Sequence, residues 1–243
     1  MPNNSSKNLP SQLFVFGLAF AFFHIAPVFL NFEIRDKLMV ADVFDLATPL
    51  VMVFLVLKLV FSPGETALSQ HPAEIKWLLF LGVVIFVEGH GIHLSANAIH
   101  RTLTSDMSPA LLRLTYFFDE RLGHILWDSG NILLALAILT GNWRSESPAL
   151  SPKQKFLIIT GSACYGFTFF ANAVEGQTVI FTLPYSALLF LVFCYLNRKG
   201  KWNAAKTPAV LFFWVAAAVS LFFFTLWFVW QGGFPEFSAL GWI

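Results

Sequence analysis

Residues 81–100, LGVVIFVEGHGIHLSANAIH, and residues 115–134, TYFFDERLGHILWDSGNILL, read as two apolar helices that carry titratable side chains within runs long enough to cross a bilayer. In the first, at about 100° per residue, His90, His93, Asn97 and His100 fall within roughly 80° of one helical face. In the second, Glu120, His124, Asp128 and Asn131 form a stripe of similar width. A charged group at bilayer depth costs about 2.5–3.5 kcal/mol even on lenient scales, so two such faces on consecutive spans point to a site.

Outward from these two helices, the requirement of about 20 mostly apolar residues per span is met seven times, at 11–30, 43–61, 75–100, 111–140, 155–174, 177–197 and 207–230. The polar break Asn172, Glu175, Gly176 and Gln177 reads as a tight turn between the fifth and sixth spans. The expected fold is an all-α integral membrane protein. Its seven transmembrane helices form one bundle over 11–230, flanked by a polar tail over 1–10 and a C-terminal tail over 231–243. The first apolar run has no small-residue cleavage site and reads as an uncleaved span. Composition agrees: 57% of the 243 residues are hydrophobic and 12% charged, where soluble domains carry about a quarter charged. A net charge of +1 without a basic run excludes nucleic acid as a main partner. Cys164 and Cys194 lie inside apolar runs, so they read as small buried hydrophobes and not as a disulfide or thiolate site.

Basic residues in short loops stay on the cytoplasmic side. One side collects Lys7, Lys58, Lys76, Arg144, Lys153, Lys155, Arg198, Lys199, Lys201 and Lys206, the other Arg35, Lys37, Arg101 and Arg113. Ten against four predicts a cytoplasmic N-terminus and an extracytoplasmic C-terminus in a multi-pass protein of the cytoplasmic or plasma membrane. Nine acidic residues, Glu33, Asp36, Asp42, Asp45, Asp106, Asp119, Glu120, Glu175 and Glu236, fall at or near the outer ends.

Antiparallel spans joined outside should place His90 beside His124 and His93 beside Glu120. Histidine with carboxylate is the ligand set of zinc or non-haem iron. The metal ligands expected are His90, His93 and His124, with His24, Glu120 and Asp128 as further ligands or as carboxylates orienting the imidazoles. Glu88 lies opposite the histidine face; it joins the site only where Gly89 and Gly91 permit local distortion and otherwise is placed to pair with Arg121, as is Asp119. This site falls in the extracytoplasmic half of the bilayer, and Asp45, Asn97, His100, Asn131, Asn172 and Glu175 complete its polar set. The 29 phenylalanines and eight tryptophans read as lipid-facing bulk and interfacial anchors.

These residues suggest a membrane-embedded metalloenzyme acting on a lipid or other apolar substrate by zinc-type hydrolysis, with Glu120 or Asp128 as general base. The same cluster suits a di-iron oxygen-activating oxidoreductase, a b-type haem-binding protein or an ion or proton transporter. The acid-free inner halves argue against a continuous path. The seven spans with a His and acid set resemble alkaline ceramidase-type membrane hydrolases, yet the last span lacks their late histidine pair. They also resemble the retinal proteins, but Lys206 precedes the last helix and no lysine lies within it. Neither family is assigned. Partners expected are the bilayer, an apolar or lipid substrate, and an oligomer or partner membrane subunit.

Overall fold

The computed structural model describes residues 9–30, 32–61, 72–104, 106–143, 149–203 and 206–242. Residues 1–8 of the polar tail, with Lys7, and the loop position Arg144 lie outside that set.

Among the described residues, seven helices are long and apolar enough to cross a membrane. They are α1 (Leu9–Phe29), α2 (Val40–Val60), α3 (Ala73–His100), a fourth span over Pro109–Asn142, α6 (Pro152–Glu175), α7 (Val179–Arg198) and α8 (Pro208–Gln231). Their ends agree with the sequence reading to within three residues. The chain is a multi-pass integral membrane protein. The fourth span is composite: α4 (Pro109–Tyr116), a π-helical segment (Phe117–Gly123) and α5 (His124–Asn142).

Glycine sets how closely the helices approach. A Cβ on Gly89 of α3 would stand 2.4 Å from the backbone nitrogen of Trp127, and one on Gly130 of α5 would stand 2.4 Å from that of Phe86. The same device joins α1 to α6, where a Cβ on Gly17 would lie 2.1 Å from the carbonyl oxygen of Gly161. Small residues at interfaces are how membrane helices gain van der Waals contact when lipid supplies no hydrophobic drive between them. Behind these contacts lies one apolar core that includes Phe16, Phe20, Phe86, Leu134, Ile138 and Phe212. α7 packs chiefly on α8 and leaves much of its surface outward.

One end of the bundle, the acidic end, carries the 30–39 and 101–108 connections. After α1 the chain forms a small hairpin, β1 (Glu33–Arg35) with β2 (Leu38–Met39), whose two-residue turn places Asp36 and Lys37 at positive φ as a primed turn requires. The Asp42 carboxylate accepts from the Met39 amide at 2.8 Å and from Arg101 Nη2 at 2.6 and 2.5 Å, tying the start of α2 to the end of α3.

The polar break is a full turn. The amide of Thr178 donates to the Ala173 carbonyl at 2.9 Å and that of Gln177 to Val174 at 3.3 Å, a Schellman closure with Gln177 at φ 56°. Gln177 is exposed and lacks the glycine this position favours. Relief of the left-handed strain makes Gln177→Gly stabilising by about 0.5–1 kcal/mol, net of the entropy glycine adds to the unfolded chain. Thermal unfolding in detergent should show a raised midpoint.

Candidate functional site

Trp127 organises the titratable residues. Its ring centroid lies 4.1 Å from that of His90, 5.0 Å from His24, 5.1 Å from His124 and 5.7 Å from His93, so all four imidazoles surround one indole. His124 stacks on it with an interplanar angle of 13°. His24 and His90 meet edge to face at 5.8 Å, and His93 and His124 at 4.9 Å. Phe20 backs His24 and Phe86 backs His90, at 4.0 and 4.6 Å. His24, His90, His124 and Trp127 are all buried.

The carboxylates are engaged separately. His93 Nδ1 lies 2.9 Å from Asp119 Oδ1, and His100 Nδ1 lies 3.8 Å from the other oxygen of that carboxylate. His124 Nε2 is 3.8 Å from Glu120 Oε2. Buried Asp128 accepts a hydrogen bond from the Thr178 hydroxyl, which fastens α5 to the turn before α7. Asn131 accepts from the Tyr165 hydroxyl at 3.4 Å. Asp45 is buried within electrostatic reach of His93, Asp42, Arg101 and Asp119. Asn97 is half-buried on α3. Asn172 is buried, and its carbonyl accepts from Gly176 in the turn. The Glu175 carboxylate accepts from the amides of Phe237 and Ser238, clamping the C-terminal tail across the acidic end.

The level of the two spans differs from the sequence expectation. His93, not His90, faces His124, and His90 faces Trp127. The π-helical segment explains the shift, because its wider turns put more residues into the same rise than the α-helix assumed from sequence. Asp119 pairs with histidine and not with Arg121, which is exposed.

The expected metal site does not form among the described residues. Among the described residues no group of three or more His, Cys, Asp or Glu is arranged to hold a metal ion. The physical reason is Trp127: it occupies the centre toward which His24, His90, His93 and His124 turn, while Asp119 is paired with His93 and Asp128 accepts from Thr178. Sequence reasoning treated Trp127 as one more lipid-facing anchor. Its place on the stripe of Glu120, His124 and Asn131, next to Asp128, was the signal that it faces inward. Thr178 carried no such signal, since its role depends on how the turn folds. Gly176 holds His124 in place, because a Cβ there would meet the imidazole at 2.5 Å. Gly176→Ala should cost about 1–3 kcal/mol, read as a lower unfolding midpoint in detergent.

On the far side of α3 lies a second feature. A groove of about 570 Å³ runs between α3 and α4 and reaches the π segment, lined by Glu88, Gly91, Ile92, Ser95, Ala96, Ile99, Leu111, Leu114, Thr115 and Phe118. Glu88 is exposed there, as its angular position opposite the histidines predicted, and it does not pair with Arg121. It forms no ion pair or hydrogen bond with the described residues. At 1.5 Å per residue its Cα stands about 18 Å below the end of α3 at His100, near the middle of the bilayer.

Comparison with known proteins bears on these features. The chain is similar to ceroid-lipofuscinosis neuronal protein 6 of Homo sapiens, with 27% identity over 222 residues covering 82% of this chain and 67% of the relative. The Canis lupus familiaris homolog of that protein is 26% identical over 222 residues with the same coverage. No known sequence family matches the chain. No solved structure matches it either. Neither relative bears the name of a metal-dependent enzyme. With the ligand geometry above, this overturns the reading as a zinc hydrolase or di-iron enzyme.

Proposed function

We propose that this chain is a membrane-embedded binding protein that seats a partner membrane subunit in the groove between α3 and the fourth span. One observation carries the reading: Glu88 stands exposed and unpaired among the described residues at mid-bilayer depth, within a largely apolar groove. A carboxyl group left facing hydrocarbon is costly, and an occupant that pairs with it offsets that cost. A phospholipid keeps its headgroup at the interface, about 18 Å from this carboxyl group, so depth favours a protein segment over a lipid. The imidazole cluster is then a scaffold. It locks α3 to α5 behind the groove and fixes the distance between the groove walls. Site-specific photo-crosslinking in native membranes tests the reading. A probe at Ile92 in the groove should form a defined protein adduct, and one at Leu50, exposed on α2, should not. Lipid adducts alone at both positions would overturn it.

The orientation belongs to the same proposal. The basic loops face the cytoplasm, which puts the acidic end and the entry between Ser95 and Leu111 outside. Cysteines placed at Asp106 and Lys199 report it: an impermeant reagent applied from outside should label 106 and spare 199, and the reverse pattern inverts the topology.

A further inference from the structure

The glycines inside the spans, with Gly176 at the cap of α6, separate by what an added Cβ would meet. At Gly17, Gly82, Gly89, Gly123, Gly130, Gly161, Gly166 and Gly176 an added Cβ would come within 3.0 Å of another part of this chain, so the chain's own packing accounts for each. At Gly141 it would make ordinary contact with Val60 at 3.6 Å, and at Gly91 alone among these it would meet nothing within 4 Å. Glycine inside a helix costs roughly 0.5–1 kcal/mol against alanine, and nothing among the described residues demands it at this position. Gly91 is exposed, and Ser95, one turn on, is exposed with its hydroxyl folded back onto the Gly91 carbonyl at 2.7 Å. Glu88, Gly91 and Ser95 share one helical face within about 60°. A small-xxx-small pair next to a polar group is the arrangement by which one membrane helix lets the backbone of another come close and hydrogen-bond to it.

From this juxtaposition we infer the chemistry of the occupant, resting on the reading of the groove as a partner site. It is a transmembrane helix of another protein that crosses α3 over Gly91 and Ser95 and presents an amine, guanidinium or amide donor to Glu88 at mid-bilayer depth. The donor follows from the carboxylate, which accepts hydrogen bonds and attracts cations. The close crossing follows from the open space above Gly91. A second copy of this chain fits less well. An isologous contact through this face would bring Glu88 against its own symmetry mate, two carboxylates meeting in a medium that does not screen them.

Full-length protein in phosphatidylcholine vesicles, with defined synthetic helices as probes, tests the inference. Three labelled polyleucine helices of spanning length carry a central Lys, a central Asn or no polar residue, and energy transfer to the labelled chain reports association. The Lys and Asn helices should associate about tenfold more strongly than the all-Leu helix, the gain typical of one interhelical hydrogen bond. Glu88→Gln should remove the advantage of Lys and keep that of Asn, since the amide still accepts a hydrogen bond but carries no charge. Gly91→Leu should abolish association of all three while its unfolding midpoint stays at or above the wild-type value. Equal association of the three helices, or an unchanged Lys preference in Glu88→Gln, would overturn the inferred chemistry. Association of two differently labelled copies that Gly91→Leu abolishes would overturn it in favour of a second copy. A protein adduct at Ile92 with no preference among the helices removes only the donor chemistry, whereas lipid adducts alone remove the partner reading itself.

Discussion

Gly89→Leu is expected to leave no folded protein, while Gly91→Leu, two positions along the same helix, folds normally. The two glycines sit on different faces of α3. At Gly89 the first added carbon already meets the Trp127 nitrogen at 2.4 Å and its Cα at 2.8 Å, with the Gly123 carbonyl at 2.9 Å. These are backbone atoms of α5 and the π segment, and no rotamer change moves them. Even Ala there forces two helices apart and should cost about 3 kcal/mol, the upper part of the range for overpacking. Leu adds three further carbons to a face whose neighbours include buried Phe86 and His90. A loss of that size consumes much of the roughly 5–15 kcal/mol by which domains are stable. The readout is the monodisperse fraction in detergent together with the unfolding midpoint. A well-folded Gly89→Leu would mean that α3 and α5 do not cross where described, and the arrangement of the imidazoles around Trp127 would fall with it.

The contrast between these two glycines also shows what the sequence could reveal. The spans were legible because apolar length is a direct consequence of bilayer thickness. The histidine face of α3 was legible because it depends only on the α-helical period, whereas Glu120 of the acid stripe lies in the π-helical segment, where that period does not hold and Asp119 turns to His93 instead. Glu88 opposite the histidines followed from the same arithmetic. The partnering of these faces was not legible, because it depends on the π-helical turns at Phe117–Gly123, which no residue pattern announces. A shift of about three residues exchanged His90 for His93 opposite His124, and that exchange placed an indole where a metal ion had been expected. The hairpin at Glu33–Met39 was missed for a related reason. Its strands are three and two residues long, too short to show a period, and its turn uses Asp36 and Lys37 where glycine or asparagine would have signalled it.

Trp127→Ala should be among the most damaging truncations in the chain, at about 3–5 kcal/mol. The indole is 5% exposed and touches His24, His90, His93 and His124, which come from α1, α3 and α5. In a soluble protein much of such a cost is the transfer of apolar surface to water. Lipid is as apolar as the core, so that contribution shrinks here and the lost dispersion contacts remain. This places the expected value near the lower bound, about 3 kcal/mol. A second cost arises from polarity. Ring nitrogens of His24, His90 and His124 already lack hydrogen-bond partners among the described residues, and the cavity left by the indole would not supply them. Trp127→Phe keeps a ring at the centre and should lose less. Unfolding midpoints in detergent order the variants as wild type, Phe, Ala, and near-ultraviolet circular dichroism reports loss of fixed aromatic packing. Because the cluster holds α3 against α5, the Ala variant should also weaken protein crosslinking from Ile92 on the opposite face of α3. Full stability with undiminished crosslinking would show that the imidazole cluster is not what holds the groove, and its titratable groups would then need another explanation.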